Sequence, residues 1–166
     1  MKRAAALLAV ALLAGCDRGP PTIPAGPALD PILFFTGNSR GEAVLDQLLQ
    51  PRRHVSVSST GLPSGTGALL LLQRIAIDGQ APTNRSWLIR RVARGRYAAR
   101  LSDADGPVAV DPVGSAIRIR YTLKAGGTAE QWLVPIGGGR AINNRLSISK
   151  WGIEVASLHE VIRKLD

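Results

Sequence analysis

The chain has 166 residues, a formal net charge of +9 and a single cysteine. A chain of about 150 residues buries roughly 70% of the surface that its unfolded form exposes, so this length fits one domain. One cysteine excludes a disulfide within the chain, and 4% aromatic residues are too few for the stacking platforms of nucleic-acid binders. We expect a domain held together by its core, with no nucleic-acid partner.

Residues 1–15 have the parts of a secretory leader in the usual order. Lys2 and Arg3 form a positive start, and an unbroken apolar run follows over residues 4–13. This run is too short to span a bilayer as a permanent helix. We therefore predict a signal peptide, followed by a secreted domain.

The leader ends in Leu13, Ala14, Gly15 and Cys16, which together resemble the lipobox of bacterial lipoproteins. The resemblance implies cleavage before Cys16 and acylation of its sulfur and its new amine. Two or more acyl chains anchor a protein stably, because each buried CH₂ contributes about 0.8 kcal/mol. The bilayer is then a partner through Cys16, and the domain faces the periplasm from the cell envelope. The inner and outer membranes both stay open, as does an ordinary leader with an unmodified Cys16.

A proline-rich stretch separates this cysteine from the rest of the chain. Prolines stand at positions 20, 21, 24 and 27, with glycines at 19 and 26, and this composition favours an extended tether without regular structure. We predict three parts: a signal peptide over residues 1–15, a lipidated and disordered tether over 16–30, and a β-barrel domain over 31–166.

The domain reads as a series of short strands. Apolar and polar residues alternate with a period of two, most clearly over residues 117–124, and glycine-containing turns come every eight to twelve residues or so. The other candidate strands cover residues 54–58, 68–77, 86–92, 96–101, 131–136, 146–148 and 152–162. About eight to ten strands without a crossover helix predict an all-β, antiparallel barrel or sandwich. Residues 42–50 fit either a strand or a helical turn, and for residues 152–162 a helix is the alternative to a strand.

Several segments stand in the order seen in one known family. They are residues 34–41, 96–97, 111–123, and 142–145 running into 149–155. On these segments the chain resembles a family of uncharacterised proteobacterial lipoproteins, built from a lipobox and one domain of unknown function. The resemblance implies a lipocalin-like barrel and a strand over 42–50, and it implies no activity. The chain departs from the family's acidic positions around Arg74 to Asp78 and before Trp132.

Patterns for catalysis or metal binding are scarce. His54 and His159 do not form a ligand spacing, and Gly-x-Ser-x-Gly is absent. Gly65-Thr66-Gly67 lacks the third glycine of a dinucleotide fingerprint, and a strand follows it. We predict no catalytic residues, no metal and no cofactor, and we predict that the chain is not an enzyme.

The candidate ligand-binding residues are Trp87, Trp132 and Trp151, because aromatic side chains line apolar pockets in barrel mouths. The alternative is that they pack in the core or plug a barrel end. Two functions therefore stay open. The barrel binds an apolar or amphipathic ligand in a cavity of several hundred Å³, or it is a packed accessory lipoprotein that docks an envelope protein. A basic face with Arg118, Arg120 and Lys124 is one candidate docking surface.

Overall fold

The computed structural model describes residues 19–165, so Cys16 and the predicted leader lie outside the described residues. Ten strands, one short α-helix and one 3₁₀ turn form the described chain. Their bounds are α1 (Pro31–Phe35), β1 (Gly37–Gln47), β2 (Arg53–Pro63), β3 (Ala68–Ile77), β4 (Thr83–Ala93), β5 (Arg96–Leu101), β6 (Ala109–Val113), β7 (Ala116–Thr122), β8 (Thr128–Ile136), a 3₁₀ turn (Gly137–Gly139), β9 (Ala141–Lys150) and β10 (Ile153–Lys164). Among these residues, no helix is long and apolar enough to cross a bilayer.

The strands form one antiparallel sheet in the order β5-β4-β3-β2-β1-β10-β9-β8-β7-β6. Strands that are neighbours in sequence pair with each other, except β5 and β6, and β1 also pairs with β10 and so joins the two ends of the domain. The outer strands β5 and β6 meet at one bridge, between Ala99 of β5 and Val108, which directly precedes β6. We call this place the seam. The sheet is therefore a nearly closed barrel, which confirms the predicted all-β antiparallel architecture. The strand implied over residues 42–50 exists as far as Gln47, and residues 153–164 form a strand.

The barrel has two ends. The helix end carries α1, the start of β1 and the end of β10, and the turn end carries the hairpin connections after β1, β3, β7 and β9. At the helix end, Phe34 and Phe35 are 5% exposed and join the larger apolar cluster with Leu69 and Ile117. A smaller cluster around Val55 and its neighbours fills the turn end of β1 and β2.

The helix α1 is absent from the predicted elements, although its start signal is present in the sequence. The Asp30 carboxylate accepts hydrogen bonds from the amides of Ile32 and Leu33, at 3.0 and 3.2 Å, and a proline begins the helix. A Cβ added to Gly61 would lie 1.7 Å from the carbonyl oxygen of Phe35, so β2 needs a glycine where α1 crosses it. Five residues are too few to produce a helical periodicity.

The described part of the predicted tether, residues 19–30, runs over the outside of the barrel. Ser115 Oγ donates a hydrogen bond to the Pro24 carbonyl at 2.7 Å, and the Leu29 amide donates to the Ser115 carbonyl at 3.0 Å. Gly19 lines an outer groove that runs along β8, β9, β10 and β1 and includes Trp132, Asp46 and Glu154. The division of the chain at residues 15 and 30 stays a prediction.

Candidate ligand site in the barrel interior

A layer of polar side chains crosses the apolar interior of the barrel. On β10, Glu160 stands between Leu158 of the smaller apolar cluster and Ile162 of the larger one. On β3, Gln73 likewise stands between Leu71 of the larger cluster and Ile75 of the smaller one. We call the whole set the interior polar layer, and its members are Ser39, Ser59, Gln73, Arg85, Gln131, Asn144 and Glu160. Strand alternation points all of them inward, since residues two apart on a strand share one face.

Glu160 is the buried carboxyl of this layer, with only 5% of its surface exposed. Asn144 Nδ2 donates a hydrogen bond to Glu160 Oε2 at 2.6 Å. The other oxygen lies over Gly41, because a Cβ added there would be 1.7 Å from Oε1. Burial raises the pKa of Glu160 and outweighs the Asn144 hydrogen bond and the charge of Arg85. The carboxyl therefore keeps its proton to a higher pH than an exposed glutamate does.

Gln73 is the centre of the hydrogen bonds on the opposite wall. Its Oε1 accepts from Trp87 Nε1 and from Arg85 Nε, both at 3.0 Å, and its Nε2 donates to Ser59 Oγ at 3.1 Å. The Trp87 ring stands edge-to-face with Tyr121 at 5.9 Å between centroids. These contacts hold Trp87 and the Arg85 guanidinium at the interior surface.

A cavity of about 40 Å³ lies among these side chains. Gln131 Oε1 and Asn144 Oδ1 line it and find no hydrogen-bond partner within residues 19–165. A buried polar group without a hydrogen bond destabilises the fold by roughly 1–3 kcal/mol. Both atoms therefore favour binding of a polar group in the cavity. The volume suits about one water molecule, which occupies about 30 Å³ in the liquid. The several hundred Å³ expected of a preformed ligand cavity are not present in this interior.

The structure brings no two of the three candidate tryptophans together. Trp87 is buried in the interior and lines the cavity. Trp132 points to the outer face but is only 9% exposed, and its Nε1 donates to Glu130 Oε1 at 2.9 Å. Trp151 occupies the turn between β9 and β10 and is 96% exposed. Only Trp87 belongs to the interior site.

The basic outer face is largely paired with acids. Arg118 forms an ion pair with Glu130 and lies 5.5 Å from the centre of the Trp132 ring, and Arg120 pairs with Asp111 at 2.7 Å. Burial opposes ionisation of Glu130, but the hydrogen bonds from Arg118 and Trp132 prevail and lower its pKa. This face therefore presents less free positive charge than the sequence pattern indicates. Among residues 19–165, no three His, Cys, Asp or Glu side chains converge as metal ligands.

Sequence reasoning missed the members of the interior polar layer, although a signal for them exists. Glu160 and Gln131 both occupy the apolar face of an alternating strand, where a polar residue interrupts the pattern. Asn144 falls within one segment of the family resemblance and Gly41 within another. An interruption of the apolar face therefore marks the interior site better than the tryptophans do.

Three comparisons set this barrel among known proteins. A family profile described as "Protein of unknown function (DUF3833)" matches residues 10–164. The comparison with curated proteins finds no match. The S-type phycobiliprotein lyase CPES from Guillardia theta shares the fold at 7% identity and a TM-score of 0.57, over 81% of this chain and 91% of the lyase. Rv2717c from M. tuberculosis also shares the fold, at 12% identity and a TM-score of 0.57, over 83% of this chain and 99% of Rv2717c.

At these identities the two structures show the fold alone, and they confirm the predicted lipocalin-like barrel. The prediction that the chain is not an enzyme is corrected by the first of them. A protein titled as a lyase has this fold, so the fold and the missing catalytic motifs do not exclude catalysis. The physical reason is that a barrel interior brings together side chains that are far apart in sequence.

Proposed function

The chain belongs to the DUF3833 family, whose function is unknown, and we propose that it binds an apolar or amphipathic molecule, such as a lipid, inside its barrel. The polar part of that molecule contacts the interior polar layer. The proposal includes attachment to a membrane of the cell envelope through an acylated Cys16, with the domain facing the periplasm.

The observation that carries the proposal is the unpaired polar lining of the interior. Gln131 Oε1 and Asn144 Oδ1 have no hydrogen-bond partner in the described part of the chain. Glu160 beside them is a carboxyl whose raised pKa favours the form that can donate a hydrogen bond. The Arg85 side chain adds a positive charge to the lining of the same cavity. This set of donors and acceptors suits a small hydrogen-bonding head group, and the apolar clusters on either side suit a hydrocarbon body.

A ligand larger than water requires the interior to open. The seam is the place where the sheet is held least, because β5 and β6 share one bridge instead of a ladder of hydrogen bonds. Ala99 of β5 and Val110 of β6 both line the cavity. Separation at the seam therefore leads directly to the interior polar layer.

The second candidate function is an accessory lipoprotein that docks an envelope protein and holds no ligand. The small volume of the interior cavity favours it, since a barrel filled by its own side chains is a stable end state. The two functions differ in whether a molecule accompanies the purified protein.

The test is native mass spectrometry with lipid extraction on the full chain purified in detergent. Glu160→Met removes the interior carboxyl, and Glu130→Met makes the same change on the outer face as a matched control. We expect one ligand to accompany the wild type and Glu130→Met, and its occupancy to fall at least about tenfold in Glu160→Met. Repeated absence of a ligand from the wild type would favour the accessory function. Equal occupancy in both variants would exclude the interior polar layer as its site.

A further inference from the structure

Four apolar side chains stand exposed at the turn end of the barrel, and we call them the tip patch. They are Leu48, Leu49, Trp151 and Ile153, with exposed fractions of 59%, 93%, 96% and 59%. The Leu48 amide donates a hydrogen bond to the Val155 carbonyl at 3.0 Å, so the connection after β1 lies beside the start of β10. The two turns therefore present their apolar side chains next to each other.

The backbone at the two most exposed positions is unusual for the residues it carries. Trp151 has φ of 50° and is followed by Gly152 at 78°, and Lys150 pairs with Ile153 across this two-residue turn. Such turns favour Asn-Gly, because both central residues need positive φ. Leu49 has φ of 62° in a turn closed by the Gln50 amide donating to the Gln47 carbonyl. Both sites place a large apolar residue where the turn favours glycine or asparagine.

We propose that the tip patch inserts into the surface of a phospholipid bilayer. Tryptophan is enriched at membrane interfaces, where its ring is buried among acyl chains and its N–H faces the headgroups. Leucine and isoleucine at the tips of two adjacent turns add apolar area to the same insertion. A large apolar side chain in a strained and fully exposed turn adds nothing to the stability of the barrel, whereas insertion gives it an apolar environment.

The position of the first described residues supports contact between the tip patch and a bilayer. Gly19 lies in an outer groove that extends along the barrel from Trp132 and Arg145 to Arg52 and Glu154, and the last two flank the turns of the tip patch. Cys16 precedes it by three residues, and three residues span at most about 11 Å. This step rests on the acylated Cys16 of the proposed function, whose anchor is then within reach of a bilayer that the tip patch also contacts. Anchor and patch then hold the barrel with its turn end toward the membrane.

The charges around the tip patch nearly cancel. Arg52, Arg53 and Lys150 stand beside the two turns with Asp46 and Glu154, and Arg52 pairs with Asp46 at 2.8 Å. Insertion therefore depends on apolar contact more than on anionic lipid. We expect the same depth of insertion in phosphatidylcholine vesicles as in vesicles that also contain phosphatidylglycerol.

The test measures tryptophan quenching by phospholipids brominated in the upper acyl chain. The full chain is purified in detergent and transferred to vesicles of either composition. Because Trp151 is one of three tryptophans and the other two are buried in the protein, we expect a loss of roughly a third of the emission. Trp151→Asn removes that loss, and Leu49→Gly reduces it. None of these substitutions changes Cys16 or the residues around it, so the means of membrane attachment is the same in every variant.

A second measurement separates insertion from damage to the fold. Asn and Gly suit the positive φ of these turns, so the melting temperatures of Trp151→Asn and Leu49→Gly are expected to equal or exceed that of the wild type. Quenching that is equal in the wild type and in Trp151→Asn overturns the proposal. Protection of Trp151 from acrylamide without lipid quenching, together with dimers in sedimentation, also overturns it and identifies the patch as an interface between copies.

Discussion

At the scale of single residues, Glu160 is a buried group whose ionisation departs from that of an exposed glutamate. It is an acid on an apolar strand face, and its partners are the amide of Asn144 and, at longer range, the charges of Arg85 and Glu42. Burial dominates and raises the pKa of the carboxyl. This buried acid destabilises the folded state wherever the unfolded chain would ionise it, which gives it a measurable signature.

The stability of the barrel is expected to depend on pH through Glu160. Well below the ordinary pKa of about 4.5, the carboxyl is neutral in both the folded and the unfolded state, so its ionisation does not affect the free energy of unfolding. Above it, the unfolded chain ionises first, so stability falls until the folded pKa is reached, by about 1.4 kcal/mol for each unit between the two values. Glu160→Gln removes this dependence. Urea unfolding of both proteins from pH 4 to pH 8 should show a gap that widens in favour of the variant, and a constant gap would contradict it.

Gly41 is expected to be required by the Glu160 carboxyl. Gly41→Ala places a Cβ 1.7 Å from Glu160 Oε1, so the side chain must move out of its bond with Asn144. We expect a loss of about 1–3 kcal/mol of unfolding free energy. Gly26→Ala is the matched control, because no atom lies within 4 Å of its added Cβ. In a Glu160→Ala background, the cost of Gly41→Ala should shrink, and an unchanged cost would point to a clash elsewhere.

At the scale of elements, α1 is a five-residue helix whose start is held by one side chain. The Asp30 carboxylate caps two amides of the first turn and forms an ion pair with Arg91 of β4. The helix places Phe34 and Phe35 in the larger apolar cluster. Loss of this cap therefore affects the closure of the helix end as well as the helix itself.

Asp30→Ala is expected to lower the free energy of unfolding by about 1–2 kcal/mol, since the cap of α1 is lost. Arg91→Met is the control, because it leaves the cap and removes the ion pair together with the contact of the guanidinium with the Tyr97 ring. An exposed ion pair contributes less than about 1 kcal/mol, and so does an exposed contact of this kind. Denaturant unfolding monitored by tryptophan fluorescence measures both. An equal loss of unfolding free energy in the two variants would show that the ion pair, and not the cap, accounts for the contribution of Asp30 to stability.

At the scale of the whole molecule, the barrel is uneven in how firmly it is closed. The pairing of β1 with β10 runs over nine residue pairs, from Ser39 with Lys164 to Gln47 with Ala156. The seam between β5 and β6 has one bridge, between Ala99 and Val108. Opening of a folded protein begins where few hydrogen bonds must break, so the seam is the natural entrance to the interior.

Hydrogen exchange is expected to show this difference. Amides of β5 and β6 near the seam should exchange at least about tenfold faster than those of β1 and β10, as their opening breaks fewer bonds. Exchange measured by mass spectrometry on the full chain resolves the two regions. Slower exchange at the seam in ligand-containing protein would support entry there. Uniform protection around the barrel would exclude the seam as the entrance.

The sequence by itself determined the class of this fold and the character of most strands. Alternation over residues 117–124 shows which face of β7 is apolar, because the period of a strand is a local property. The leader and Cys16 are also local patterns, and their role stays a prediction because they lie outside the described residues. Only the tertiary structure decided which polar residues meet, since Gly41, Asn144 and Glu160 come from three strands whose register depends on closure of the barrel. The same closure separated the three tryptophans, because side-chain type does not encode which wall, face or turn a residue occupies.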